Sequence, residues 1–149
     1  MLSGYRNQFG VDEHGDFWIG SNFGLIHYNP VSQKQTHILT NLFTEVNMVQ
    51  CDQRGKVWIG ADNLLFAWLI QEQKFVLFGE SNGAIQNEYL PNARLVNNEG
   101  DVYIGGVKGM LRIDGQLLLN TSEMPELQLL DIIINGEPAQ NKLYSHPAA

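Results

Sequence analysis

The sequence predicts an all-β chain assembled from about three four-stranded units, and three observations lead there. One segment occurs three times, its apolar residues are spaced by two, and a turn motif stands in front of each copy. The first copy reads Val11-Asp12-Glu13-His14-Gly15-Asp16-Phe17-Trp18-Ile19-Gly20. The second, 40 residues on, reads Cys51-Asp52-Gln53-Arg54-Gly55-Lys56-Val57-Trp58-Ile59-Gly60. The third follows after another 45 as Val96-Asn97-Asn98-Glu99-Gly100-Asp101-Val102-Tyr103-Ile104-Gly105.

The elements of one unit follow in order. Asn7, Asn47 and Asn92 share a register, which places first strands over residues 7–11, 47–51 and 92–96. The Asp12-x-x-Gly15, Asp52-x-x-Gly55 and Asn97-x-x-Gly100 elements predict hairpin turns, because Asp or Asn favours the first position of a type I turn and Gly the fourth. In the strand after each turn, Phe17 and Ile19, Val57 and Ile59, and Val102 and Ile104 point to one face. Trp18, Trp58 and Tyr103 point to the other, with Gly20, Gly60 and Gly105. Both faces are apolar, so this strand is expected to be buried between neighbouring sheets. Third and fourth strands fall at 25–29 and 36–39, then at 65–70 and 74–78, and Pro30 closes the third strand of the first unit. Gly24 and Gly109 stand four residues past the last glycine of their copies, whereas the second copy has Leu64 there.

A period of 40 to 45 residues is that of one four-stranded β-propeller blade, and a helical solenoid repeat would instead show apolar spacing of three and four. The expectation is therefore a propeller fragment of about three blades, at about 5–40, 44–80 and 88–119, within residues 1–119. Residues 120–126 read as a linker of turn formers. The β-prone run from Leu127 to Ile134 ends in Asn135-Gly136, a strong hairpin signal, and Pro138 follows. Residues 127–149 thus predict a strand or hairpin followed by a frayed tail without period.

Composition narrows the function classes. Lys and Arg number 9 against 16 Asp and Glu, a net charge of −7, which opposes a nucleic-acid partner. No apolar run reaches the ~20 residues of a membrane span, and the first residues lack a signal-peptide core, so no membrane contact by this segment is expected. The single Cys51 cannot form an intramolecular disulfide and reads as a buried thiol. His14, His27, His37 and His146 show no metal-ligand spacing, so neither metal nor cofactor is expected.

With these residues laid out, the sequence resembles the two-component regulator propeller repeat, whose units carry an Asp-x-x-Gly-x-x-Trp-Ile-Gly core, then Gly-Leu and a Tyr-Asn-Pro-like ending. The first unit matches nearly throughout, with Gly24-Leu25 and Tyr28-Asn29-Pro30. The second keeps Trp58-Ile59-Gly60 and loses the following glycine. The third has Asn87-Glu88-Tyr89 upstream and Gly105-Gly106-Val107-Lys108-Gly109 downstream, and is similar to the last unit before such a propeller ends. Residues 127–136 resemble the opening strand of the tyrosine-triad (Y_Y_Y), immunoglobulin-like sandwich domain that follows it. The resemblance covers roughly residues 5–137. It implies a periplasmic ligand-sensing or scaffold segment of a hybrid two-component histidine kinase that responds to glycans. The implied partners are an oligosaccharide and the remaining blades and Y_Y_Y domain of the parent receptor. None of the kinase is present, so this segment is expected not to be an enzyme.

Candidate site residues divide into packing and contact roles. Asp12, Gly15, Trp18, Gly20, Asp52, Gly55, Trp58, Gly60, Asn97, Gly100, Tyr103 and Gly105 recur at fixed positions and are read as structural. The connections after the central strands differ between copies, and loops carry function where repeated strands carry packing. Asn22, Asp62, Asn63 and Lys108 in those connections are the candidate ligand contacts, with Phe23 and Tyr89 as aromatic platforms for a glycan. Streptogramin-lyase-like propellers share the Asp-x-x-Gly-x-x-Trp core and give an enzyme alternative. They need a catalytic His and an acid, and no such pair can be placed from the sequence. A protein-interaction propeller is the third reading. Three blades cannot close a ring, so self-association of the fragment is also expected.

Overall fold

The computed structural model describes residues 8–22, 24–117, 119, 133–134 and 137–138. The chain divides into two compact units, Met1–Leu119 and Asn120–Ala149. In the first, β1 (Phe9–Val11), β2 (Phe17–Ser21), β3 (Gly24–Asn29) and β4 (Lys34–Leu39) form one antiparallel sheet in that spatial order. The next four strands, β5 (Val46–Cys51), β6 (Lys56–Ala61), β7 (Leu64–Leu69) and β8 (Lys74–Phe78), repeat it. A 3-10 turn at Glu80–Asn82 leads to β9 (Tyr89–Val96), β10 (Val102–Gly106) and β11 (Gly109–Ile113), a sheet of three strands among the described residues where four were expected. The fold is all-β, with each of these sheets built as a propeller blade.

In the second unit β12 (Ile133–Ile134) pairs with β13 (Glu137–Pro138), Ile133 opposite Pro138 and Ile134 opposite Glu137. This is the hairpin that Asn135-Gly136 signals. Residues 135–136, the rest of the expected strand at 127–132, the linker at 120–126 and the tail at 141–149 lie outside the described residues.

The turn motif works through one side chain. Asp12 Oδ1 accepts from the backbone N–H groups of His14 (2.9 Å) and Asp16 (3.0 Å), and Asp52 Oδ1 from those of Arg54 and Lys56 (both 2.9 Å). Asn97 Oδ1 does the same for Glu99 and Asp101. Gly15, Gly55 and Gly100 sit at φ of 83°, 81° and 87°, left-handed backbone that a Cβ disfavours, which explains why the fourth residue is Gly each time. The second oxygen of each Asp then reaches into the sheet, where Asp12 Oδ2 accepts from Trp18 Nε1 at 2.8 Å and Asp52 Oδ2 from Trp58 Nε1 at 3.3 Å. The motif is thus a turn cap and an indole anchor at once.

The blades stack head to tail. The tryptophan face of blade 1, with Trp18 and Leu25, packs on Val49, Cys51, Val57, Ile59, Phe66 and Trp68 of blade 2. The tryptophan face of blade 2, with Met48, Trp58, Leu65 and Phe78, packs on Tyr89, Val102, Ile104 and Ile113 of blade 3. The glycines on the tryptophan face allow this approach: a Cβ on Gly20 would stand 2.4 Å from Val46 Cγ1, and one on Gly60 2.8 Å from Tyr89 Cβ. Arg54 staples the two turns of blades 2 and 3, donating to the carbonyls of Gly115 (2.7 Å) and Glu99 (3.0 Å). Arg94 on β9 donates to Gln8 Oε1 and the Phe9 carbonyl, both at 3.1 Å, and so ties the inner strand of blade 3 to that of blade 1.

Two inner strands begin where the sequence register would not put them. β5 carries an irregularity between Val46 and Met48, and β9 a larger one between Tyr89 and Arg94, which face Gly106 and Ile104. The extra residues bulge out of the ladder, so β9 starts three residues before the expected 92. No helix among the described residues is long and apolar enough to cross a membrane.

Candidate functional site

The four candidate contact residues occupy one end of the blades, opposite the Asp-x-x-Gly turns. The central strand of each blade turns there through two residues, pairing Ser21 with Gly24, Ala61 with Leu64 and Gly106 with Gly109. In blades 1 and 3 the positive φ falls on Gly24 (134°) and Gly109 (129°). In blade 2 it falls on Asp62 (48°) and Asn63 (65°), the pattern of a type I′ hairpin, which Asp and Asn tolerate best after Gly. Leu64 therefore breaks the glycine rule without strain, because the two residues before it have taken over the left-handed backbone.

These turns also hold the segment that enters the same blade. Asp62 Oδ2 accepts from Thr44 N at 2.7 Å, and Asp62 Oδ1 from Glu45 N at 3.2 Å, while Thr44 Oγ1 donates to the same carboxylate. Blade 3 makes the equivalent contact with the roles reversed. There the buried side chain of Asn87 accepts from Lys108 N at 2.9 Å, and its own backbone N–H donates to the Asn63 carbonyl of blade 2 at 2.9 Å. Lys108 Nζ donates to the Gln86 carbonyl at 2.9 Å. Asp62 thus spends its carboxylate on main chain. Asn22, Asn63 and Lys108 remain on the rim of this end, Asn22 half-buried and the other two exposed.

The aromatic platforms fare differently. Tyr89 is 3% exposed, lies against Gly60 in the interface between blades 2 and 3, and donates its hydroxyl to the Ile85 carbonyl at 3.2 Å. The expectation that it offers a face to a glycan is corrected: a residue in a connection by sequence is the first residue of a buried strand. Phe23 lies outside the described residues.

At the other end, the structure brings together groups that the sequence reading kept apart. His27 Nε2 and Asp16 Oδ2 lie 2.8 Å apart, a His–carboxylate pair, and the His27 ring stacks on Trp18 at 4.5 Å between centroids. Asp12, Asp16 and His27 offer donor atoms within 4.8 Å of one another. Every one of these atoms already has a partner in the fold. Asp12 Oδ2 takes the indole of Trp18, Asp16 Oδ1 takes Asn29 Nδ2 at 2.7 Å, and Asp16 Oδ2 takes His27. A cation would have to displace those bonds. The signal that finds this group is the hairpin register, because His27 stands opposite Trp18, two residues past Asp16.

Blade 3 uses the same two positions with other chemistry. Asp101, buried, accepts from Arg112 Nε (2.9 Å) and Nη2 (2.7 Å) and from Gly115 N (3.0 Å). The Gly115 hydrogen bond, followed by the Arg112 guanidinium, holds the Asp101 carboxyl below the usual carboxylate range, and the hydrogen bond and charge of Asp101 raise Arg112 in turn. Cys51 is the buried thiol expected. Burial, followed by the negative charges of Asp12 and Asp52, pushes it up to about 12.

A groove of about 300 Å³ lies on the open tryptophan face of blade 3, lined by Ala93, Arg94, Leu95, Tyr103, Gly105 and Met110. Its walls are mostly apolar.

No protein-family model and no curated protein matches the chain. Solved structures do. One is the extracellular domain of a putative hybrid two-component system from B. thetaiotaomicron, matched over 92% of this chain with a TM-score of 0.66 at 14% identity. Another is the extracellular domain of a putative one-component system from the same organism, matched over 92% with a TM-score of 0.59 at 21% identity. The chain has the fold of part of these domains. It spans about a fifth of their length, 20% and 17% respectively.

Proposed function

We propose that the chain is an extracytoplasmic ligand-sensing or scaffold segment of a bacterial two-component sensor, lying in the periplasm, and that the signal is an oligosaccharide. The observation that carries this reading is the pairing of a threefold Asp-x-x-Gly-x-x-aromatic repeat with a fold shared with extracellular domains of one-component and hybrid two-component systems. The chemistry of the site is in keeping with it. The His–carboxylate pair of His27 and Asp16 is occupied by internal hydrogen bonds and stacked on Trp18, where a catalytic pair would need a face toward substrate. The rim at the hairpin end offers amide and ammonium groups of the kind that bond sugar hydroxyls. Residues 127–149 belong, on this reading, to the first strands of a Y_Y_Y domain.

Calorimetric titration of a glycan panel against the parent receptor tests the reading. The expected result is saturable binding of one oligosaccharide class, weakened at least tenfold by Asn22→Ala, Asn63→Gly and Lys108→Ala together. Asn63→Gly preserves the left-handed turn, and Asp62 is left intact because it holds Thr44 and Glu45. Unchanged affinity would remove these three residues as contacts, and no binding across the panel would remove the glycan. A downstream reading frame without a membrane span or a signalling output would remove the sensor assignment itself.

A further inference from the structure

Blade 3 differs from the other two at the residue where its central strand enters the hairpin turn. Ser21 and Ala61 stand there in blades 1 and 2, and Gly106 in blade 3. The space that a Cβ would take at Gly106 is already filled, because it would stand 2.5 Å from Asn87 Cγ and 2.6 Å from Asn87 Oδ1. Asn87 comes from the segment that joins β8 to β9, and it is only 5% exposed. Of the three buried polar residues among those described it alone lies at the hairpin end; Asp52 and Asp101 lie at the other.

An amide seated this deep needs partners, and those it takes belong to the main chain of the blade 3 hairpin turn. Asn87 Oδ1 accepts from Lys108 N at 2.9 Å, and Asn87 Nδ2 donates to the Gly109 carbonyl at 3.5 Å. The backbone N–H of the same residue donates to the Asn63 carbonyl of the blade 2 turn at 2.9 Å. Its neighbours close the lock: Val107 N donates to the Glu88 carbonyl at 3.1 Å, and Lys108 Nζ to the Gln86 carbonyl at 2.9 Å. Asn63 and Lys108, on different blades, are therefore joined through one residue. The Lys108 ammonium has three N–H donors and gives one to Gln86, which leaves two for a ligand.

We propose that Asn87 is a positioning residue of the oligosaccharide contact, setting the spacing between Asn63 of blade 2 and Lys108 of blade 3, with Gly106 as the recess that admits it. This rests on the reading of the hairpin-end rim as the ligand-binding surface. Asn87 is too buried to touch a ligand. Its role is pre-organisation, because an amide and an ammonium held at one spacing lose less freedom on binding than the same groups on two independent turns.

Hydrogen–deuterium exchange and glycan calorimetry on the parent receptor test the role, with Asn87→Ala, Asn87→Asp and Gly106→Ala. Asn87→Asp keeps the acceptor for Lys108 N, whereas Gly106→Ala displaces the amide without changing it. In Asn87→Ala the amides of residues 106–109 are expected to exchange about tenfold faster, with β2 and β3 of blade 1 unchanged, and glycan affinity to fall about tenfold. Gly106→Ala should do the same and Asn87→Asp much less. Lys108→Ala should then cost far less affinity on top of Asn87→Ala than it does alone, a coupling that a merely structural role would not produce. Should Asn87→Ala unfold, Gly106→Ala carries the same comparison with Lys108→Ala. Unchanged exchange at 106–109, or a Lys108→Ala effect equal in both backgrounds, would overturn the positioning role and leave the rim as a binding surface. A wild-type receptor that binds no glycan would instead remove the reading of the rim, and the positioning role with it.

Discussion

Trp58 and Tyr103 stand at the same position of consecutive blades, yet Trp58 is 1% exposed beneath blade 3 while Tyr103 lies half-buried on a face with no neighbour among the described residues. The turn in front of each has changed to match. Asp52 uses one oxygen to cap its turn and the other to bond the Trp58 indole. Asn97 caps its turn in the same way, opposite a phenol that carries no N–H at that place. In blade 2 the second oxygen of the carboxylate serves the indole and also faces Lys56 Nζ at 3.5 Å, while in blade 3 an amide suffices for the turn. A recurring residue therefore has two separable jobs, and the third copy shows which of them the turn requires.

The largest effect expected from this comparison is at the two aromatics. Trp58→Ala removes an indole packed edge-on against Phe78 at 5.2 Å and should cost about 3 to 5 kcal/mol in urea unfolding. Tyr103→Ala, at a half-buried position, should cost less than half as much. Equal losses would mean that the two faces are equally packed.

Asp52→Asn comes next, at about 1 to 3 kcal/mol, the usual penalty when a buried polar group loses its partner. An amide can keep the two turn hydrogen bonds but has no second acceptor for Trp58 Nε1 and no charge for Lys56 Nζ, 3.5 Å from Asp52 Oδ2. Asn97→Asp should shift stability by no more than about 0.5 kcal/mol, since no indole waits for the new oxygen. A large gain from Asn97→Asp would break the division between capping and anchoring. Gly60→Ala should cost about 1 to 3 kcal/mol, because its methyl meets Tyr89 across the blade interface and a packed core resists added volume.

Two smaller effects sharpen the contrast of environments. The Asp101 carboxyl titrates lower folded than unfolded, so its contribution is complete above the ordinary carboxylate range and is lost as pH falls through that range to the lowered folded value. Unfolding of Asp101→Asn over a pH series should therefore lose less stability at acid pH than the wild type. An identical acid limb in both would sink the assignment. Cys51, with its thiol pushed up to about 12, should resist alkylation at pH 8 in the folded chain and react once urea unfolds it.

Much of the fold is legible in the sequence because its causes are local. The Asp-x-x-Gly turns, the period-two strands and the hairpin signal at Asn135-Gly136 each depend on a few neighbouring residues, and repetition multiplies their weight. The site was less legible. Tyr89 reads as a loop aromatic until the bulge in β9 makes it the first residue of a buried strand. Asp62 reads as a free acid until its turn folds back over Thr44 and Glu45. His27 and Asp16 meet only through the hairpin between them.

The sequence by itself determined the strands, the turns that join them and the two apolar faces of every central strand, since these follow from backbone stereochemistry and side-chain alternation within one blade. Only the tertiary structure decided which face meets which. That choice depends on shape between blades: glycines at 20 and 60 thin the tryptophan face until Val46 and Tyr89 can sit against it. The aliphatic and aromatic side chains of the opposite face fill the space left around each indole.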